Sequence, residues 1–309
     1  MDLQQTLTSN IKKYRQFILS ADIGGTNTRF GIMGIGNNTA ELLAKYSFKT
    51  KWIHFCTKVV EIVENAKKTY GIELSGLSAG AAGKIENNEA MLTNIDRKIS
   101  SEEILRETPI KNVILMNDFE ASAYGVNSFD LGKETTLVIG AGTGLGKAVL
   151  VRKENFYTPL ASEGGHAEMP FYEEDKKLLK FIMKKRKLER LTWEDLLSGR
   201  GLEDINEFLT KKQTPAPRIN NAESFEIFSK FFGRCCRNFA LEVLCQKIYV
   251  TGAIALNHPE IIRKMFRKEL EKGVFRHYLK GIKVEIITDE NIGLLGAGYA
   301  WLMQNPPKN

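Results

Sequence analysis

The sequence lacks the features that define secreted, membrane-spanning and disordered proteins. It has four cysteines and eight prolines in 309 residues, and no apolar stretch approaches 18 residues. A membrane-spanning helix is therefore excluded, and the composition shows no bias towards disorder. The N-terminal segment also lacks the apolar core of a signal peptide, so we expect a cytoplasmic protein.

The cysteines show no metal-binding or disulfide pattern. None of them forms a CxxC pair, and no histidine lies at ligand spacing from Cys56, Cys235, Cys236 or Cys245. The last three fall in a helical pattern, where a reduced cysteine acts as a small apolar residue. We therefore expect neither a structural zinc site nor a disulfide.

The net charge of +7 is concentrated in two segments of the chain. Residues 176–190 carry eight basic side chains against one acidic, and residues 263–283 carry eight against two. The apolar residues in both segments recur at helical spacing, which predicts amphipathic helices with solvated basic faces. Neither segment has a nucleic-acid-binding motif. Steering of a phosphorylated substrate stays compatible with this pattern, and the role of both segments is open.

Strands and helices follow an order that repeats once. Predicted strands at 17–23 and 29–33 flank a glycine turn, and strands at 135–140 and 146–152 flank a second one. After each pair, helices alternate with further strands, as in α/β proteins. The pattern predicts a duplicated α/β architecture with a cleft between the halves. The later helices are predicted at 222–246 and 258–271.

The two glycine turns, Asp22–Arg29 and Gly140–Gly146, favour phosphate binding. Neither fits the dinucleotide-binding fingerprint, because each is followed by a strand where that motif requires a helix. Glycines nevertheless let consecutive backbone N–H groups converge on an anion, and Thr26 and Thr143 add hydroxyl donors. A single such turn is more often a plain hairpin. Two turns, one in each half of a duplicated fold, favour the binding of phosphate.

Asn117 and Asp118 directly follow an apolar strand. Ligands in open α/β sheets bind beyond the carboxyl ends of strands, which places Asp118 at the predicted cleft. The alternative is that Asp118 is only the N-cap of the next helix. One residue can fill both roles, and the sequence leaves both open.

A polar loop, Glu163-Gly-Gly-His166-Ala-Glu168, follows a predicted strand. Two glycines beside three polar side chains indicate a backbone bent towards a small polar ligand. His166 and Glu168 are also possible metal ligands, although no second histidine lies nearby. A surface loop without a role is the default for so short a motif.

Eight motifs occur in the order found in bacterial-type glucokinases, so the chain resembles that family of the actin, Hsp70 and hexokinase superfamily. The resemblance runs from about residue 17 to 303, and it is to the zinc-free branch, since no cysteine cluster follows EGGH. It implies a two-lobed actin-like ATPase fold (ribonuclease H-like, duplicated) with a central cleft. It also implies transfer of the γ-phosphate of ATP to the 6-hydroxyl of glucose. The motifs are DIGGTNTRF, MLTN, MNDFEA, GAGTGLG, EGGH, WEDLLSGRGL, TGAIA and NIGLLGAG.

The resemblance also implies roles for individual residues. Asp118 matches the general base, and Asp22 matches the residue that holds Mg²⁺ through water. The positions that match sugar-binding residues are Asn94, Asn117, Asp118, Glu163, His166 and Glu194. Those that match ATP-binding residues are Asp22, Gly24, Gly25, Thr26, Asn27, Gly142, Thr143, Gly144, Gly252 and Ala253.

Two departures from the family pattern lie in these motifs. The adenosine segment usually has a glycine pair, whereas here Ala253 follows Gly252, and the added methyl narrows the purine site or changes the preferred nucleotide. The loop Gly80–Gly83 also lacks the proline that is often found there, which leaves the local backbone on the sugar side open.

The expected domains follow from this resemblance. A small α/β domain covers residues 1–117 and is completed by the C-terminal helix at 292–309, and a large α/β domain covers 118–291. The glycine-rich NIGLLGAG segment is expected to permit close packing and hinge motion where the domains cross.

Other functions and partners remain as alternatives. A sugar-sensing repressor would need a helix-turn-helix ahead of the first strand, where about 16 residues stand. An actin-like nucleotide switch would not need the NDFEA and EGGH motifs together. A kinase of mannose, fructose, glucosamine or N-acetylmannosamine is the nearest alternative. The sequence leaves the specificity at C2, the choice of ATP or polyphosphate, a homodimer and regulation open.

Overall fold

The computed structural model describes residues 11–92, 97–129, 134–153, 155–160 and 162–307. The chain divides into two compact units. Unit 1 comprises residues 1–132, 152–159 and 289–309, and unit 2 comprises residues 133–151 and 160–288.

Unit 1 contains a five-stranded sheet, a three-stranded sheet and four helices among the residues described. Its strands are β1 (Gln16–Ile23), β2 (Asn27–Ile35), β3 (Ala40–Lys49), β4 (Leu77–Ala81), β5 (Gly83–Glu86), β6 (Glu89–Leu92), β7 (Lys98–Ser100) and β8 (Val113–Asn117). Its helices are α1 (Phe55–Tyr70), α2 (Ser101–Glu107), α3 (Asp118–Gly125) and α11 (Ile292–Gln304).

Both faces of the larger sheet in unit 1 are covered by apolar side chains. On one face Leu19, Ile32 and Leu77 pack in a cluster with Val59 and Ile62 of α1. On the other face a second cluster joins the sheet to α3 and α11. Strands buried on both sides are accordingly apolar along most of their length, as β1 (QFILSADI) shows.

Helix α11 packs closely against α3 because of its glycines. A Cβ on Gly296 would lie 1.6 Å from the carbonyl oxygen of Ala121, so no side chain fits at this contact. The predicted close packing of the NIGLLGAG segment is therefore present, and it lies within unit 1. The hinge motion stays a prediction.

The second five-stranded sheet and its helices lie between residues 133 and 288. Strand β11 belongs to this sheet, but most of it is grouped with unit 1. The strands of its sheet are β9 (Thr136–Ala141), β10 (Leu145–Lys153), β11 (Phe156–Leu160), β12 (Lys247–Thr251) and β13 (Lys283–Ile286). The helices are α4 (Lys176–Arg186), α5 (Trp193–Leu196), α6 (Gly199–Thr210), α7 (Ala222–Val243), α8 (Ala253–Asn257), α9 (Lys264–Leu270) and α10 (Arg276–Lys280). Helix α7 carries much of the core, with Phe228, Phe231 and Phe232 fully buried.

The two five-stranded sheets have the same topology. Their strand orders are β3-β2-β1-β4-β8 and β11-β10-β9-β12-β13. In each sheet the central strand, β1 or β9, pairs antiparallel with the next strand in sequence, β2 or β10. It pairs parallel with a strand that follows a helical connection, β4 or β12. This repetition agrees with the predicted duplication.

The compact units divide the chain at other positions than the expected domains. Residues 118–132 were assigned to the large domain, but they belong to unit 1, as do residues 152–159. The reason is that α3 packs against α11, which joins unit 1 from the far end of the chain. The three-stranded sheet β5-β6-β7 was not predicted, because its strands are only three or four residues long.

The helix predicted at 258–271 was wrong in its length and continuity. Residues Pro259–Ile262 form a 3-10 turn, and Arg263 has a ψ of −126°, which ends that turn before α9 begins at Lys264. The second basic segment, residues 263–283, is likewise not one amphipathic helix. It forms α9 and α10, and an exposed turn separates them. The long helix at 222–246 is confirmed, ending at Val243.

Candidate active site

The first glycine turn joins β1 to β2 and is held by backbone hydrogen bonds. The N–H of Gly24 donates to the carbonyl of Asn27 over 3.0 Å. The hydroxyl of Thr50 donates to the carbonyl of Gly24 over 2.7 Å, and the N–H of Thr50 donates to the carbonyl of Thr26. Thr26 itself is exposed. Thr50 thus holds the turn through hydrogen bonds, and the exposed side of the turn is open to a ligand.

Asp22 lies near the end of β1 and pairs with Arg29 across the hairpin. The β1–β2 register sets the two residues opposite each other, and Nη1 of Arg29 lies 3.3 Å from Oδ2 of Asp22. Burial raises the pKa of Asp22, while the guanidinium of Arg29 lowers it. The carboxylate therefore sits at the edge of a glycine turn with one cation beside it.

Asp118 begins helix α3 at the carboxyl end of β8. Strand β4 separates β8 from β1 in the sheet, and Gly80 of β4 stands level with Asp22. A Cβ on Gly80 would lie 2.6 Å from the Cβ of Ala121, so the glycine lets the helix that begins at Asp118 pack close to β4. Burial raises the pKa of Asp118 to about 6, the N–H of Phe119 lowers it and the charge of Asp22 raises it further. Asp118 is a carboxylate that can take up a proton near neutral pH.

The N-cap of α3 is Asn117, which corrects the alternative role considered for Asp118. The side-chain oxygen of Asn117 accepts from the N–H of Phe119 over 2.9 Å, and its amide donates to the carbonyl of Gly83 over 3.0 Å. Asp118 is the first helical residue, and its own carboxylate also accepts from Phe119. The capping position is therefore filled by the neighbour, and one amide proton of Asn117 is left for a ligand.

The second glycine turn joins β9 to β10 in unit 2 and is tied to α5 and α6. The N–H of Gly142 donates to the carbonyl of Gly144 over 2.9 Å, and the N–H of Gly199 donates to the carbonyl of Gly142. The carboxylate of Glu194 accepts from the N–H of Leu145 over 2.8 Å. Thr143 at the tip is exposed. This turn is held on its inner side, as the first one is.

The loop from Glu163 to His166 brings three of the predicted sugar-binding side chains together. The ring nitrogens of His166 lie 3.9 Å from a carboxylate oxygen of Glu163 and 3.9 Å from one of Glu194. Glu163 is 94% exposed, and a Cβ on Gly165 would lie 2.1 Å from the carbonyl of Leu145. The loop therefore packs directly on the second glycine turn and presents its polar side chains outward.

Gly252 and Ala253 connect β12 to α8 beside the end of β9. Gly252 has a φ of +92°, and a Cβ there would lie 2.4 Å from the carbonyl of Ala141. Both the left-handed conformation and the close approach require glycine. Ala253, which replaces the second glycine of the family motif, is the first residue of α8 and is exposed.

Three further predictions concern residues elsewhere. Asn94 lies outside the described residues. Glu168, which was considered with His166 as a possible metal ligand, forms an ion pair with Arg190 at 3.3 Å. Within the described ranges, the side chains that could together hold a metal ion are His54, Glu103 and Glu107, beside α1 and α2. His54 and Glu107 are exposed. All four cysteines are buried and reduced.

Two residues that the sequence analysis did not single out support the first glycine turn. Arg29 neutralises Asp22, and Thr50 holds Gly24 and Thr26. Arg29 could have been identified, because a hairpin with a tight turn after Ile23 places residue 29 opposite residue 22. Thr50 directly follows β3, and no local pattern marks it.

Most of the chain is similar to glucokinases. The family model described as Glucokinase matches residues 19–304. The glucokinase of Nostoc sp. is 29% identical, and the similarity covers 91% of this chain and 97% of the relative. The glucokinase of Caulobacter sp. is 28% identical over 91% of this chain and 94% of the relative.

Solved structures show the same fold. A glucokinase from an Antarctic psychrotroph matches with a TM-score of 0.78 at 23% identity, covering 92% of this chain and 98% of that one. The glucokinase of Balamuthia mandrillaris in complex with glucose matches with a TM-score of 0.75 at 21% identity, covering 96% and 99%. These matches confirm the fold expected from the motifs.

Proposed function

The chain belongs to the glucokinase family, and from that premise we propose how its residues carry out the reaction. The protein is an ATP-dependent hexose kinase that phosphorylates glucose at the 6-hydroxyl to give glucose 6-phosphate and ADP. Phosphoryl transfer requires mainly a positioned nucleophile, a positioned phosphate and neutralisation of charge. We assign each task to a group of side chains.

Asp118 is the general base, and its raised pKa is the observation that carries this assignment. A pKa of about 6 leaves the carboxylate ionised at neutral pH while keeping it basic enough to accept a proton from the sugar hydroxyl. Because Asn117 caps α3, Asp118 is not needed for that purpose. The proton moves from the 6-hydroxyl to Asp118 as the oxygen attacks the γ-phosphate.

The glycine turns bind the phosphates of ATP. Backbone N–H groups of Gly24, Gly25, Thr26 and Asn27 in one turn, and of Gly142, Thr143 and Gly144 in the other, are the donors we assign to them. The segment at Gly252 and Ala253 is assigned to the adenosine.

Asp22 is assigned to Mg²⁺ through bound water. A carboxylate oxygen is the ligand type that Mg²⁺ prefers, and Gly293 keeps the space beside Asp22 free, since a Cβ there would lie 3.1 Å from its carboxyl carbon. The residues present therefore fit the ion, which when bound neutralises phosphate charge. Arg29 orients the carboxylate.

The sugar hydroxyls are assigned to Asn94, Asn117, Glu163, His166 and Glu194. His166 lies within 4 Å of two carboxylates, so acceptors and a donor stand together as a polyol requires. Each polar group that is buried without a partner costs about 1–3 kcal/mol, which favours sugars whose hydroxyls match this arrangement.

The substrate assignment is tested by a coupled assay that measures ADP release. Glucose, mannose, fructose, glucosamine and N-acetylmannosamine are compared as acceptors, with ATP and polyphosphate as donors. We expect the highest kcat/KM for glucose with ATP. A higher value for an amino sugar would show that the loop from Glu163 to His166 selects a different group at C2.

The oligomeric state is a separate question. A homodimer is our proposal for the assembly, and light scattering of the purified protein measures its mass. Among the described residues, no helix is both long enough and apolar enough to cross a membrane.

A further inference from the structure

The turn between α9 and α10 exposes two adjacent apolar side chains. Val274 is 97% exposed and Phe275 is 57% exposed. They lie within the stretch Lys272–His277, in which every residue is exposed, and Gly273 has a φ of +98°. We call Val274 and Phe275 the apolar tip. Burial of such side chains is favourable, yet this turn gives them little to pack against.

Exposed cations stand on both sides of the apolar tip along the chain. Six exposed basic residues of the segment have no ion-pair partner among the described residues, and we call them the basic collar: Arg263, Lys264, Lys268, Arg276, Lys280 and Lys283. The segment has two acidic residues, and Glu271, in the turn itself, is half-buried. Glu269 is only 2% exposed and pairs inward with Arg234 and with Lys272, so it contributes little negative charge to the surface.

We propose that the apolar tip and the basic collar dock the protein on an anionic lipid surface. Two terms act together at such a surface: apolar side chains enter the boundary between headgroups and acyl chains, and nearby Lys and Arg side chains are attracted by the negative headgroups. The turn presents both kinds of side chain within one short segment of unit 2. None of these residues belongs to the candidate active site.

Two other occupants fit this surface less well. A second copy of the chain, docked through the same face, would bring two basic collars together, and like charges repel. Single-stranded nucleic acid would be held by aromatic side chains that stack on its bases. The tip offers a single exposed ring, Phe275, whereas Val274 cannot stack and the hydroxyl of Tyr278 is turned inward, where it donates to the carbonyl of Cys245 over 2.6 Å.

The first basic segment provides a matched comparison within the same chain. Residues 176–190 carry as many basic side chains as residues 263–283. Their apolar residues Leu178, Leu179 and Ile182 are buried in the core of unit 2. This segment therefore has the same number of basic side chains without an apolar tip. Lys180 and Lys184 are exposed and have no ion pair among the described residues, so they are the matched positions for a charge test.

The test is co-sedimentation of the full chain with vesicles. Phosphatidylcholine vesicles are compared with vesicles that contain phosphatidylserine as well, at low and high salt. We expect binding only to the phosphatidylserine vesicles, and we expect it to weaken as salt rises. Val274→Asp combined with Phe275→Asp should reduce the bound fraction at least tenfold, while kcat for glucose in solution stays unchanged.

Charge variants separate the two segments. Lys264→Glu with Lys268→Glu should also abolish binding. Lys180→Glu with Lys184→Glu makes the same change in net charge on α4 and should reduce binding less than threefold. Equal loss in both pairs would overturn the proposal, because a general charge effect would then explain it.

Four further outcomes would also overturn it. The first is equal binding to phosphatidylcholine alone, and the second is unchanged binding of the tip variant. The third is a change of mass in light scattering when the tip is replaced, which would assign the surface to a second copy. Binding of a 30-nucleotide single strand that the tip variant loses would assign it to nucleic acid.

Discussion

The backbone N–H of Leu145 donates a hydrogen bond of 2.8 Å to Oε2 of Glu194. This bond ties a residue assigned to the sugar to the turn assigned to the phosphates of ATP. The other carboxylate oxygen of Glu194 lies 3.9 Å from His166. A displacement of Glu194 is therefore expected to affect the binding of both substrates.

Gly144→Ala tests that connection. A Cβ at residue 144 would lie 2.5 Å from Oε2 of Glu194, so the carboxylate must move and lose its bond to Leu145. We expect KM for glucose and for ATP to rise about tenfold each, equivalent to ~1.4 kcal/mol. Gly142→Ala is the control, because a Cβ there meets nothing within 4 Å. The affinity of the Gly142→Ala protein for glucose, measured by titration calorimetry, should equal that of the unchanged protein.

Asp118→Asn should abolish most of the activity. It keeps the shape of the side chain and removes the proton acceptor, so we expect kcat to fall by ~10²–10⁴, while the affinity for glucose changes little. Asn117→Ala, by comparison, removes the cap of α3 and should lower stability by about 1 kcal/mol, whereas Asp118→Asn leaves that cap in place. Retention of full activity by the Asp118 variant would remove the general-base assignment.

The same variant should be more stable than the unchanged protein at pH 7.5. The pKa of Asp118 in the folded state, about 6, is above the value of 3.8 that applies when it is unfolded. The stability that this carboxyl contributes is therefore full below pH 3.8 and is lost as pH rises through 6. Asparagine does not ionise, and we expect a gain on the order of 1–2 kcal/mol at pH 7.5, allowing for partial solvent exposure. Thermal unfolding at pH 4 and 7.5 measures it, and a gain that is equal at both values would contradict this cause.

Activity should depend on pH through the same group. With Asp118 as the base, kcat/KM should rise as pH increases through about 6 and then level off. Because the charge of Asp22 raises the pKa of Asp118, Asp22→Asn should lower it. Titration of the Asp118 carboxyl by ¹³C NMR in the absence of ATP measures the pKa directly and does not require an active enzyme. An upward movement would contradict the electrostatic coupling.

Thr143→Val tests the second glycine turn. The substitution keeps the shape of an exposed side chain and removes one hydroxyl donor. ATP affinity should fall roughly tenfold, a loss of about 1–2 kcal/mol, and glucose affinity should stay nearly the same. Titration calorimetry with each substrate checks both expectations. Equal ATP affinity would place the phosphates away from this hydroxyl.

Features with a strong local pattern were predictable from the sequence. The two glycine hairpins, the repeated strand order and the placement of Asp118 after β8 all follow from apolar strands that are bounded by glycine or acidic residues. The distinction between Asn117 and Asp118 as the cap was not predictable. Both residue types favour that position, and only the backbone geometry decides between them.

Features that depend on distant contacts were missed. Thr50 supports the first glycine turn from the position that follows β3, and α3 joins unit 1 because α11 packs against it. A turn at Gly273 divides the second basic segment at residues 271–275. The sequence did not reveal this turn, because the residues on both sides of it have helical spacing. Patterns of 3.6-residue period describe helices well but do not locate their ends.

The position of α11 after unit 2 in the chain has a consequence for the order of folding. Gly293 lies beside Asp22, Gly296 beside Ala121, and the ring of Trp301 fills the place where a side chain on Gly76 would stand. During synthesis, all of unit 2 leaves the ribosome before this helix does. The surroundings of Asp22 and Asp118 are therefore completed only after unit 2 has been synthesised, although both residues belong to the first half of the chain.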